Sequence, residues 1–239
     1  MVDRALGNPL GNPLGLARDI SVANAMPPPK AIIGLNNTAY LEWSPSDTVK
    51  KIRISAIGDG GSGGYGAANS TSGGGYGGGG GSGGEVLSDV IDAEGVVLRL
   101  PVVTGRYEVQ VVKNGVQIGL IRAYHGGSIN ASGATDAQGG PGGGATISGI
   151  PGVARAGIAG QGGNKITQIA GAGALTQSSS FAGVLPAAGA YLIDNPFQVF
   201  SPESARSAGC GGGGSRGQAS GTIETPGPGM VGGARIELW

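Results

Sequence analysis

The stretch Ile57–Glu85 reads IGDGGSGGYGAANSTSGGGYGGGGGSGGE. A strand pattern precedes it and another follows it. The same composition returns at Gly126–Gly173, at Gly209–Gly221 and in the closing Pro226–Gly233. A random Gly/Ser linker is the simplest reading of such tracts. Three features oppose it. The tracts alternate with well-patterned strands. They carry Tyr65, Asn69 and Tyr76, which a linker does not need. A terminal strand comes after all of them, so the chain returns to one core, and closing long loops without contacts adds entropic cost. The ordered alternative is a set of polyglycine II helices. These have three residues per turn and no internal hydrogen bonds. Packed side by side they satisfy each other's N–H and C=O groups, an approach that only glycine permits.

The 239 residues include 53 glycines and 14 prolines, a composition often found in disordered chains. The charge signature of disorder is missing, because 15 basic residues balance 15 acidic ones. Hydrophobic residues reach 39%, enough for a core between the tracts. Charged residues are 13% and form no basic cluster, which speaks against nucleic acid and anionic membrane as partners. A single cysteine, Cys210, excludes an intrachain disulfide and suits a reducing compartment. The opening MVDRALGNPLGNPLG lacks the apolar run of a signal peptide, and no apolar run is long enough for a membrane-spanning helix.

Taken in order, residues 1–30 form an extended arm and proline linker. The repeat Gly7-Asn8-Pro9-Leu10 and Gly11-Asn12-Pro13-Leu14 reads either as a flexible tail or as a docking peptide presenting Leu10, Leu14 and Leu16. Residues 31–125 form a β-rich domain around the first glycine tract. Ala31–Trp43 reads as a hairpin turning at Asn36-Asn37, and Asp47–Ile57 as a half-buried strand by its alternation. Further strands are expected at Glu85–Asp92, Gly95–Val103, Arg106–Lys113 and Val116–Tyr124. Asn114-Gly115 between the last two is the strongest hairpin signal in the chain. Residues 126–239 form a glycine-rich domain closed by a strand at 234–239, expected beside Val49–Ile57. The fold class is therefore all-β: sandwich-like sheets, glycine-rich helices, long loops and an N-terminal arm.

The segment KKIRISAIGDGGSGGYG (Lys50–Gly66) resembles the opening of the glycine-rich domain of bacteriophage tail proteins. The second tract, Gly73–Gly84, and the ending GPGMVGGARIELW also resemble that family, and the likeness covers roughly Asp47–Trp239. The composition is similar to T-even-type adhesins, in which polyglycine helices display receptor-binding loops. The tracts here are shorter and more interrupted, and Glu85–Tyr124 inserts a conventional meander. The resemblance implies a virion tail component, at a fibre or tail tip, made in the host cytoplasm. Its implied partners are other virion tail proteins, reached through residues 1–25, and a host surface receptor, protein or polysaccharide. It also implies a homo-oligomer, with a trimer favoured. A purely structural virion part and a cell-surface polysaccharide depolymerase are the alternatives.

Chemistry offers less. GDGGSGG is not followed by the Gly-Lys-Ser/Thr of a phosphate-binding loop. His125 is the only histidine, and no nucleophile elbow accompanies it. Asp89, Asp92 and Glu94 are close in sequence but read as solvated strand-end carboxylates. Metal-ligand spacing is missing. No catalytic residue, metal or cofactor is expected. Tyr, Ser, Asn and Gly are the residues that adaptable binding loops use. Tyr65, Asn69, Tyr76, Tyr124 and His125 at tract edges, and Tyr191, Asn195 and Phe197 in the later insertion, are therefore the receptor-binding candidates. Packing of these side chains onto the glycine scaffold is the competing reading.

Overall fold

The computed structural model describes residues 29–35 (31–35 as backbone), 39–68, 73–164, 166–167, 169–173, 211, 214–215 and 225–239. Among these residues eleven strands form two antiparallel sheets. The first sheet has the order β1 (Ala31–Leu35), β11 (Gly233–Leu238), β3 (Lys51–Ile57), β4 (Glu85–Ser88), β10 (Gly152–Arg155), with β5 (Ile91–Asp92) also pairing β3. The second runs β2 (Leu41–Trp43), β6 (Val96–Leu100), β7 (Arg106–Lys113), β8 (Val116–Tyr124), β9 (Ala145–Ser148). The period of two decides which side chains turn inward. Ile52, Ile54 and Ala56 of β3 meet Leu238, Ile236 and Ala234 of β11 in register. They share one buried cluster with Val86, and with Leu98, Leu100, Val109, Val111, Ile121 and Ala123 of the second sheet.

The terminal strand lies beside β3, where its alternation places it. β7 and β8 join through Asn114-Gly115, whose φ values of 51° and 80° are those of a tight hairpin turn. The reading of Ala31–Trp43 as a hairpin is corrected. β1 pairs β11 in one sheet, while β2 pairs β6 in the other. Asn-Asn is a weaker turn signal than Asn-Gly, and two long-range partners with apolar faces outcompete it. The single strand expected at Glu85–Asp92 is broken into β4 and β5, where Asp89 N–H turns away to Pro151 O at 2.9 Å.

The glycine segments leave and rejoin these sheets, bonded to one another at every third residue. The N–H groups of Gly58, Gly61, Gly64 and Ala67 donate to the carbonyls of Gly84, Gly81, Gly78 and Gly75. Those of Ala137, Gly140 and Gly143 donate to Tyr76, Gly79 and Ser82. Those of Gly157, Gly160 and Gly163 donate to Gly143, Gly140 and Ala137. Segment 75–84 is the common partner, and residues 77–84 are all buried. Around it lie 58–67, 126–133, 137–143, 157–163, 171–173 and the described residues 211 and 214–215. Each neighbouring pair in this ring is itself bonded: Ala131 to Tyr65, Gly127 to Pro141, Gly157 to Gly143, Gln161 to Ala172, Gly214 to Gly171 and Ser215 to Gly64. A further segment, 225–232, attaches outside the ring through Gly60 to Met230 and Gly63 to Gly227. Its prolines, Pro226 and Pro228, flank the accepting Gly227 at positions where no N–H is required.

The central segment shows why side chains are excluded. A Cβ on Gly77, Gly80 or Gly83 would stand 1.9–2.0 Å from the carbonyl oxygens of Gly64, Gly61 and Gly58. On Gly78, Gly81 or Gly84 it would meet those of Gln138, Pro141 and Gly144 at 1.9–2.0 Å. Ser82 is the one side chain accepted within 77–84, and its Oγ receives the N–H of Ile158 at 2.8 Å.

Candidate interaction surface at the far end of the glycine segments

Hydrogen-bond levels define two ends. At the sheet end, Gly58 N–H meets Gly84 O, and Gly84 N–H meets Tyr124 O at the end of β8. At the other end, Ala67 meets Gly75, Gly75 meets Gly133, Ala137 meets Tyr76 and Gly163 meets Ala137, each at 2.9 Å. The chain therefore reverses between residues 67 and 75, over Ser132–Thr135 and over Asn164–Ile169, all at the end away from the sheets.

The reversal at Ser132–Thr135 is closed by two backbone bonds and uses Gly133 at φ 56°. That at Asn164–Ile169 is held by reciprocal bonds of 2.8 and 2.9 Å between Asn164 and Ile169. Within it, Asn164 Oδ1 accepts the N–H of Ile166 at 3.0 Å and of Thr167 at 3.2 Å. Ile166 is left 90% exposed and Ile169 60% exposed.

The sequence candidates divide between the two ends. Tyr65 is half exposed on segment 58–67, with its N–H bonded to Asn130 Oδ1 at 2.9 Å. Tyr76 is the second residue of the central segment, at its far end, and its N–H goes to Asp136 Oδ1 at 2.8 Å. In both, a short polar side chain replaces a backbone acceptor. Tyr124 and His125 stand at the sheet end, so the structure does not bring them together with Tyr65 and Tyr76. Tyr124 lies under the Arg106 guanidinium, 5.5 Å from its ring centre. Asn69, Tyr191, Asn195, Phe197, Leu10, Leu14 and Leu16 lie outside the described residues.

His125 belongs to a cluster where three segments leave the sheets. Asp59 Oδ1 accepts the Tyr107 hydroxyl at 3.0 Å and the Gly232 N–H at 2.6 Å. Asp59 Oδ2 lies 3.5 Å from His125 Nδ1. The Asp59 carbonyl accepts Gly126 N–H at 2.8 Å, and the His125 ring is tilted against Tyr107 at 5.3 Å. Burial, then the Asp59 charge and the hydrogen bond to it, push the Tyr107 phenol well above its usual range, so it stays a donor. His125 Nε2 is buried and has no hydrogen-bond partner among the described residues. This cluster ties the roots of the glycine segments to β7. Nearby, Glu108 is pushed up by burial, but hydrogen bonds from Gln110, Arg122 and Arg106 outweigh this and hold its carboxyl low.

Sequence reasoning missed Asn130, Asp136 and Asn164 as backbone acceptors and Asp59 as a tie. Asn164 had a usable signal, since an Asn two and three residues before backbone donors forms such turns. The other three depend on contacts with residues distant in the chain and had none. Among the described residues no helix is long and apolar enough to cross a membrane, and no group of three or more His, Cys, Asp or Glu is placed to hold a metal.

Comparison with protein-family models finds no match for this chain, and comparison with curated proteins finds none either.

Proposed function

We propose that this protein is a bacteriophage tail component, of a fibre or tail tip, that presents receptor-contacting turns at the end of a polyglycine II bundle. The bundle is rooted in a β-sandwich. The observation that carries the reading is the ring. Six glycine-rich segments surround a seventh, with a bonding period of three. Along 58–67, 74–84, 126–132, 134–144 and 156–163, no described residue has positive φ. Both features fit extended helices of three residues per turn. A scaffold of that kind is stiff and, Ser82 apart, carries its side chains toward its outside and in its turns, and three reversals gather at the end opposite the sheets. The likeness of Lys50–Gly66 and of the chain's ending to phage tail glycine-rich domains supplies the biological setting.

On this reading the protein is not an enzyme. Residues 1–25 attach it to other virion proteins, and several copies, in a trimer, present the turns together so that weak contacts add up. The test is adsorption of the purified protein, with and without residues 1–25, to host cells. Both forms are expected to bind cells and to block phage adsorption. Failure of both to bind, with the full-length form still assembling onto particles, would reduce the bundle to a structural part. Release of reducing sugar from the cell surface would make it a depolymerase.

A further inference from the structure

We propose that Asn114 is a site of spontaneous modification, where the side-chain amide is lost through a succinimide ring closed by the Gly115 backbone nitrogen. Three observations carry this. The residue after Asn114 is glycine, and a Cβ built on Gly115 would meet open space, so nothing crowds the approach of its nitrogen. Both residues are exposed to water. Among the described residues, neither the Gly115 N–H nor the Asn114 side-chain nitrogen has a hydrogen-bond partner, so no bond holds the attacking or the departing atom back.

The step needs only water. The Gly115 nitrogen gives its proton to solvent and bonds to Asn114 Cγ. The Cγ–Nδ2 bond breaks, and that nitrogen takes up a proton and leaves as ammonia. Water then opens the ring at either carbonyl, giving aspartate at one and isoaspartate, with the main chain rerouted through Cγ, at the other. The turn decides what each product does. Asn114 and Gly115, at φ 51° and 80°, stand between the paired Lys113 and Val116. Asn114 N–H donates to Gly95 O at 3.2 Å, and its Oδ1 lies over Gly95. Aspartate adopts left-handed φ as asparagine does, so it keeps the turn and adds a negative charge beside Lys113. Isoaspartate adds a backbone carbon to a tight hairpin turn, which cannot then keep its register. The turn lies at the end of β7 and β8 away from the glycine segments, because Arg106 and Tyr124 pair at the other end.

The other described carboxylate or amide residue followed by glycine is Asp59, and there the fold closes the route. Gly60 N–H donates to Met230 O at 2.8 Å, and Asp59 Oδ1 accepts the Tyr107 hydroxyl and the Gly232 N–H. Ring closure would have to break all three bonds. Asn130 is held too: its Oδ1 accepts Tyr65 N–H, and alanine follows it.

The test incubates the full chain, folded and in urea, in mildly alkaline buffer at physiological temperature. Released ammonia is assayed, and peptide mapping by mass spectrometry separates aspartate from isoaspartate. In the folded chain Asn114 should lose its amide at least about tenfold faster than Asn130, giving both products, while Asp59 stays unchanged. In urea, Asp59 should form isoaspartate as well. Asn114→Gln, whose longer side chain closes such a ring poorly, should keep its amide over the same period. A folded chain that retains the Asn114 amide would overturn the site. Loss that yields aspartate alone would overturn the ring. Isoaspartate at position 59 in the folded chain would overturn the protection read from its bonds. These readouts come from the parent chain and stand even if the variant fails to fold.

Discussion

Asp59 follows β3 directly, and its carboxylate gathers the Tyr107 hydroxyl, the Gly232 N–H and the His125 ring. Nothing in the local sequence GDGG announces this, because every partner is distant in the chain. The phenol matters to pH dependence. The folded protein holds Tyr107 protonated to higher pH than the unfolded chain does. Its contribution is therefore fully present below the unfolded value, about 10. It fades as pH rises from there toward the higher folded value. We expect the urea midpoint of the parent to fall as pH rises above about 10, and the fall to be smaller in Tyr107→Phe. At neutral pH that variant should lose ~1 kcal/mol, the usual net worth of one hydrogen bond. Equal alkaline losses in the two proteins would remove Tyr107 from the account.

The strands were largely legible because their signals are local. Alternation in KIRISAI and RIEL gave β3 and β11, and Asn114-Gly115 gave the turn joining β7 and β8. Partner choice was only partly legible: β11 falls beside β3 as expected, but β1 and β2 look like a hairpin in sequence and part into separate sheets. The glycine segments were legible in kind, as a scaffold needing backbone without side chains, but not in arrangement. Glycine has no side chain to vary, so the sequence of 75–84 cannot say which neighbour each residue faces. The structure gives that facing a period of three, and the period makes a prediction about single substitutions. Gly84 and Gly144 lie across from one another, yet a Cβ on Gly84 would stand 2.0 Å from Gly144 O. A Cβ on Gly144 would meet nothing nearer than Tyr124 Cδ2 at 3.6 Å. Gly84→Ala should cost ~3 kcal/mol or more by overpacking against backbone. Gly144→Ala should stay within ~0.5 kcal/mol of the parent. Chemical denaturation of the two proteins measures both.

At the scale of the molecule, one end is a conventional pair of sheets around an apolar cluster and the other is hydrogen-bonded glycine. Of the candidate residues, sequence reading found Tyr65 and Tyr76 near the far end through their oddity within glycine. It passed over Ile166 and Ile169, because a short apolar piece has no mark that says whether it turns inward or outward. That choice is made by the bonds of Asn164 and by the ring that carries the turn. The whole account depends on the ring being ordered. Amide hydrogen exchange over residues 75–84, followed by mass spectrometry or NMR on the full chain, tests this most directly. The account predicts protection comparable to β3 and β11, since Gly75, Gly77, Gly79, Gly81, Ser82 and Gly84 are buried and donate their N–H groups to carbonyls of other segments. Exchange at the rate of an unstructured Gly/Ser linker would contradict it.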